Sequence, residues 1–231
     1  MKQRSLVSAF LITACVFALA PFTRALAEDA KKSPMTVDAA KKTLRITCRI
    51  APRKLPDLSE IYPIEVIACA TTAAKMQKAH ETIVLIDHLK PSEIHKALES
   101  FGLKAGKPAK GNDAAAEGPE LKVSLELPGP ANTVKKTPIE KCLVDRKTGK
   151  SLPSIKWHFT GSKMAQPDPN KDEKVYGADL TGTLISIFPV TDETVMQTSL
   201  TMKEEPLIKL DTNTKLLPAE GTIVTLIIEV K

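Results

Sequence analysis

The stretch "KAHETIVLIDHLKPSEIHKALESFG", Lys78 to Gly102, carries two different periodicities in one line. "ETIVLID" is a short β-branched apolar run with polar residues at both ends, the pattern of a core strand. "PSEIHKALESFG" reads as a helix: Pro91 stands near the start, Glu93 in the first turn and Gly102 at the C-terminal cap. Ile94, Ala97, Leu98 and Phe101 make its apolar stripe, so the main α-helix is predicted over about 91–101.

Outward from this stretch, strand signals follow in series. They are "LRITCRI", "PIEVIACA", "LKVSLEL", "PIEKCLVD", "WHFTGS", "LTGTLISIF", "TVMQTSL" and "TIVTLIIEV", each bounded by Pro, Gly, Asn or Asp clusters. "LKVSLEL" alternates with period two, as a strand with one wet face does. "TIVTLIIEV" is almost continuously apolar, which fits a central strand or a sheet buried on both faces. "TTAAKMQKA" is a candidate second short helix, and the Gly/Pro/Ala-rich "KAGKPAKGNDAAAEGPE" reads as a mobile excursion at about 104–120. The sum is one β-rich α+β domain over 40–231, with antiparallel or mixed sheets in a sandwich-like arrangement.

The opening stretch holds three of the chain's four histidines, beside Glu81, Asp87 and Glu93. On a strand, His80 and His88 share a face but stand roughly 26 Å apart at ~3.3 Å per residue, too far for one ion. "HETIV" is not HExxH, because Val84 occupies the second histidine's place. Polar residues capping a core strand explain the pattern with less. His95 lies beside the apolar stripe and is expected to hydrogen-bond locally. The acid–base candidates are therefore His80, Glu81 and His95, with His158 a more distant partner.

"DPNKDEKVYGAD" puts Asp168, Asn170, Asp172 and Asp179 at positions one, three, five and twelve of a calcium-loop frame. Glu173 stands where that loop needs glycine, and the flanks read as strands, so a solvated hairpin loop is the competing reading. Trp157, Ser162 and Tyr176 are the binding candidates. No GxSxG, phosphate cradle or dinucleotide fingerprint occurs.

"MKQR" followed by "SLVSAFLITACVFALAPF" and "ALA" at Ala25–Ala27 has the three parts of a secretory signal. Cleavage before Glu28 leaves 204 of 231 residues, a polar tether over 28–39 and an exported, periplasmic or extracellular domain with no membrane span. "ITAC" at Cys15 is a competing lipoprotein signal. The whole chain has 33 Lys and Arg against 27 Asp and Glu, a net +6; losing Lys2, Arg4 and Arg24 with the signal, and no acid, leaves +3. That balance, with no basic run interleaved with aromatics, argues against nucleic acid.

Cys48, Cys69 and Cys142 remain after cleavage. An oxidising compartment permits one bridge, and Cys48 with Cys69, in consecutive strand candidates, is the expected pair. Three cysteines are too few for a four-thiolate iron–sulfur cluster, and no cofactor is predicted.

"PIEVIACA", "HETIVLIDHLKPSEIHKALESFGLKAGKPAKG" and "VDRKTGK…WHFTGSKM…VYGADLTGTLISIFPV" together resemble the YdjY family of exported proteins, over most of residues 40–231. The resemblance implies an exported domain without an established activity. The positions that fit its pattern are His80, Glu81, His95, Trp157, Gly161 and Ser162. Gly161 and Trp157 fit a fold constraint, whereas His80–Glu81 is the hardest to explain structurally. The expected function is non-enzymatic: an envelope domain that binds a small ligand or an envelope protein. The alternatives are a metal-dependent or acid–base hydrolase using His80 and Glu81, and a structural or assembly subunit.

Overall fold

A computed structural model of the chain describes residues 33–73, 78–111 and 114–231. The signal segment, Cys15 and the central part of "TTAAKMQKA" lie outside the described residues. In chain order the strands are β1 (Met35–Asp38), β2 (Thr43–Ile50), β3 (Val66–Ala70), β4 (Thr82–Ile86), β5 (Glu120–Pro128), β6 (Val134–Pro138) and β7 (Leu143–Asp145). They continue as β8 (Trp157–Phe159), β9 (Met164–Ala165), β10 (Val175–Tyr176), β11 (Thr183–Ser186), β12 (Met196–Thr198), β13 (Leu210–Thr212) and β14 (Ile223–Val230). Helix α1 is Pro91–Glu99, and a short α2 spans Gly177–Thr181.

The expected β-rich composition and main helix are present, but the sandwich is replaced by one sheet that closes on itself. Its order is β2–β14–β5–β8–β12–β11–β3–β4, and β4 returns to β2, so eight strands form a mixed barrel. Closure is possible because two long strands change partner along their length. β2 pairs β1 through Thr43–Ile46 and then β4 through Arg49 and Ile50. β5 pairs β8 at Glu120 and Leu121 and then β6 from Ser124 onward. A closed sheet removes most of the edge that an open one exposes.

Alternation fills the interior. Leu44, Ile46 and Cys48 of β2, Leu226 and Ile228 of β14, and Leu125 of β5 join one core cluster, and Ile94 and Leu98 of α1, with Phe101 just after it, pack into it. "TIVTLIIEV" is central as expected, with β2 on one side and β5 on the other. The outer face of this wall is polar: Arg45 pairs with Glu126, and Lys136 with Glu229. β4 is buried on both faces, because Val84 joins the main core and Leu85 joins Val66, Cys69 and Ala51 on the other side.

Three readings change. "MTVD", placed in the tether, is strand β1. The excursion is pinned to the barrel: Ala109 exchanges two hydrogen bonds with the buried Gln197 side chain, at 2.7 and 3.0 Å, and Lys107 bridges Glu117. Its glycines serve close approach, since a Cβ at Gly106 would run into the Glu117 carbonyl. Third, β2 and β3 are not neighbours, because β4 lies between them. Cys48 and Cys69 are both free, in different core clusters.

Candidate functional site

His80 and Glu81 sit in the tight turn that feeds β4. Glu81 is 7% exposed and is held on both sides: Lys78 donates to one oxygen, and His80 Nε2 lies 3.2 Å from the other. Lys78 also pairs with Glu65 at 2.8 Å. Burial works against the Lys78 charge, but the two carboxylates outweigh it and raise its pKa. The His80 ring packs edge-on against Tyr62, with centroids 5.1 Å apart.

The main chain of this turn leads to a second set of charges. Arg53 Nη1 donates to the His80 carbonyl at 2.7 Å, and its Nη2 donates to the Tyr62 carbonyl at 2.6 Å and to Asp211 Oδ1 at 3.2 Å. Arg146 reaches the same two acceptors, with Nη2 3.2 Å from the Tyr62 carbonyl and 3.2 Å from Asp211 Oδ2. Glu220 accepts the Arg53 backbone N–H at 2.8 Å. The Arg53 guanidinium, on a side chain 11% exposed, ties the loop after β2 to the turn before β4, the arm before β3 and β13, and Arg146 after β7 shares the Tyr62 carbonyl and the Asp211 carboxylate with it. Burial draws the Arg53 pKa down, and Asp211 opposes that shift.

Over this guanidinium runs an open groove with two lobes. One, of about 300 Å³, is lined by Ile50, Ala51, Leu217 and Pro218; the other, of about 530 Å³, by Ile61, Val144, Arg146 and Gly149. Arg53, Thr212, Thr214 and Glu220 border both.

A separate polar chain joins three residues that the sequence offered singly. The Tyr176 hydroxyl lies 2.7 Å from His95 Nδ1 and accepts the Ser162 backbone N–H at 3.1 Å. His95 Nε2 faces Glu99 at 3.3 Å. The geometry fits Tyr176 donating to Nδ1, with the imidazole proton on Nε2 toward Glu99. Burial pushes the Tyr176 pKa up. Gly161 makes the close fit: its φ is +66°, and a Cβ there would stand 2.7 Å from the Ala105 Cβ and 3.2 Å from His95 Cε1. His95 bonds locally to Glu99, as expected, but also to a tyrosine 81 residues away.

The remaining candidates are dispersed. Trp157 is a buried wall residue whose Nε1–H donates to Glu140 at 2.9 Å. Asp168 caps its own turn through the Asn170 N–H, while Asp179 lies in α2 and accepts both the N–H and the hydroxyl of Ser92 at the start of α1. Asp179 therefore serves the positive end of α1, not a calcium frame with Asp168 and Asp172. No group of three or more His, Cys, Asp or Glu side chains placed to hold a metal ion occurs among the described residues.

No hydrogen bond or ion pair joins the His80–Glu81 pair to the His95 chain among the described residues. The groove residues Arg53, Arg146, Asp211 and Glu220 escaped the sequence reading. They sit in "APRKLPD", "DRKTGK", "KLDTNT" and "PAEG", which share no spacing and meet only in the fold.

These features define a closed mixed β-barrel with one packed helix and a charged groove at one rim. The sequence pattern of the YdjY domain matches residues 35–229, and the chain belongs to that family. No curated protein and no solved structure matches it.

Proposed function

We propose that this chain is an exported binding domain without catalytic activity, and that its ligand lies in the groove over Arg53. One observation carries the reading: an open groove coincides with a charged side chain already fixed by two carbonyls and a carboxylate. Groups held in place before the ligand arrives lose little freedom on binding, which is how a small site gains affinity. The groove volumes fall in the range common for small-molecule pockets, about 300–1,000 Å³.

The hydrolase alternative gains nothing from the geometry, since a base and acid must converge on one reacting atom, and His80–Glu81 and His95 have different neighbours. The assembly alternative gains little from β6. That edge strand carries Lys135, Lys136 and Pro138, residue types that discourage strand-to-strand pairing. Export rests on the signal pattern at residues 1–27. No helix among the described residues is long and apolar enough to cross a membrane.

The test is a ligand screen by thermal shift on the wild type and on Thr214→Trp, which fills the groove from an exposed position. Ligands that stabilise the wild type and lose their effect in the variant, at an unchanged unliganded melting temperature, support the reading. Ligands that stabilise both equally place the site elsewhere. N-terminal sequencing that finds Glu28 first tests the export step.

A further inference from the structure

We infer that the groove takes an extended polypeptide segment, laid along the open edge of β13 with a carboxylate at Arg146; this rests on the proposed groove reading. The edge follows from ladder parity. Towards β7, the β13 strand uses its odd-numbered residues: the Arg146 N–H donates to the Lys209 carbonyl, and the Asn213 N–H to the Cys142 carbonyl. Leu210 and Thr212 therefore turn their main-chain groups the other way.

There the Leu210 carbonyl accepts the Ile64 N–H, and the ladder stops. At the next position the Tyr62 carbonyl points to Arg53 and Arg146 instead of to Thr212. The Thr212 N–H is left with only the neighbouring Asp211 carboxylate, and its carbonyl has no partner among the described residues. The hydroxyls of Thr212 and Thr214, on the same border, also have none. The free Thr212 carbonyl, with two threonine hydroxyls beside it, gives an extended chain its first main-chain partner at the groove, as in strand addition, where main-chain bonds give affinity and pockets give side-chain choice.

The ends of the groove set the choice. Ala51, Leu217 and Pro218 offer an apolar seat at one end. At the other, the carboxylates are already engaged. Asp145 accepts the N–H groups of Lys147 and Thr148, Asp211 accepts both arginines, and Glu220 accepts the Arg53 N–H. Arg146 donates only through Nη2, so its Nη1 and Nε are unspent on a side chain 33% exposed. The three N–H groups on these two nitrogens point to opposite sides of the guanidinium, so a carboxylate takes a charge-assisted hydrogen bond from one nitrogen.

The experiment is an amide NMR titration of the folded chain with a capped five-residue peptide carrying one leucine and one glutamate. Two controls are the same peptide with glutamine for glutamate, and with its central backbone amides N-methylated; free acetate is the third. The expected result is movement of the Thr212, Thr214 and Gly221 amides by the acidic peptide. Binding should be at least tenfold weaker for both altered peptides and for Arg146→Gln. Thr214→Trp, which leaves the arginines untouched, should block it. If acetate alone moves these amides, the groove reading survives and the polypeptide inference falls. Equal binding of the N-methylated peptide also removes strand addition. If every probe moves only amides elsewhere, or none, the polypeptide inference falls, while the groove reading stands or falls with the ligand screen.

Discussion

Replacing Asp211 by asparagine removes a carboxylate that faces two arginines, and the structure sets the size of the effect. Asp211 Oδ1 takes Arg53 and Oδ2 takes Arg146, each at 3.2 Å. Stranding a buried charge by deleting its partner costs about 3–5 kcal/mol, whereas an exposed pair is worth about 0–1 kcal/mol. The Arg53 side chain is 11% exposed and lies near the first case, while Asp211, at 34%, is partly screened. Asparagine also keeps one acceptor oxygen. The expected loss is therefore about 2–3 kcal/mol, or about 4–12 °C in melting temperature for a domain of this size. Scanning calorimetry measures it. In an Arg53→Met background there is no buried cation to strand, so the same substitution should cost less than about 1 kcal/mol. Raising the salt should change the wild-type value little, because a buried pair is weakly screened. A melting temperature within 2 °C of wild type, or full additivity in the double variant, would refute the reasoning.

Three further outcomes follow from other parts of the molecule. Gly161→Ala should destabilise by about 2–3 kcal/mol in urea unfolding, because it adds left-handed backbone strain to overlap with Ala105 and His95; an unchanged midpoint would contradict the contact. Burial raises the thiols of Cys48, Cys69 and Cys142 to about 12, so all three should resist alkylation in the native chain and all three should label in non-reducing denaturant; a single reactive site would restore the bridge. Asp87 and Asp192 are partly desolvated, which alone would raise them, but hydrogen bonds from Arg49 and Thr71, and from Lys163 and Lys110, hold both below the ordinary carboxylate range. Their stabilisation is complete above the unfolded value near 3.9 and is lost as pH falls through the lower folded value. Urea midpoints should therefore stay level above about pH 4 and drop below it, less steeply in Asp87→Asn.

What could be read from the residues depended on how local its cause was. "TIVTLIIEV" announces a central strand because its apolar run lies in consecutive residues, and α1 is legible from Pro91, its stripe and Gly102. Barrel closure is not legible, since it rests on pairings as short as Arg49–Ile50 with Val84–Leu85, which no periodicity marks. Gly106 and Gly118 look like flexibility in one dimension; in three they let backbones touch. The disulfide expectation failed for a similar reason: adjacency in sequence suggested adjacency in the sheet, and the parallel β3–β4 pair placed β4 in between. His95, Ser162 and Tyr176 were each visible, but their hydrogen-bonded union was not. The arginine groove was invisible because its charges come from separate loops of ordinary composition.

The most direct test of the central claim is photo-crosslinking in the host cell, read by intact mass. A benzophenone amino acid is placed at Thr214 in the groove, at Met164 opposite Tyr176, or at Val134 on the β6 edge, all exposed positions. The account expects a discrete mass gain on illumination at position 214, and none at 164 or 134. A gain at either of those positions with none at 214 would contradict it.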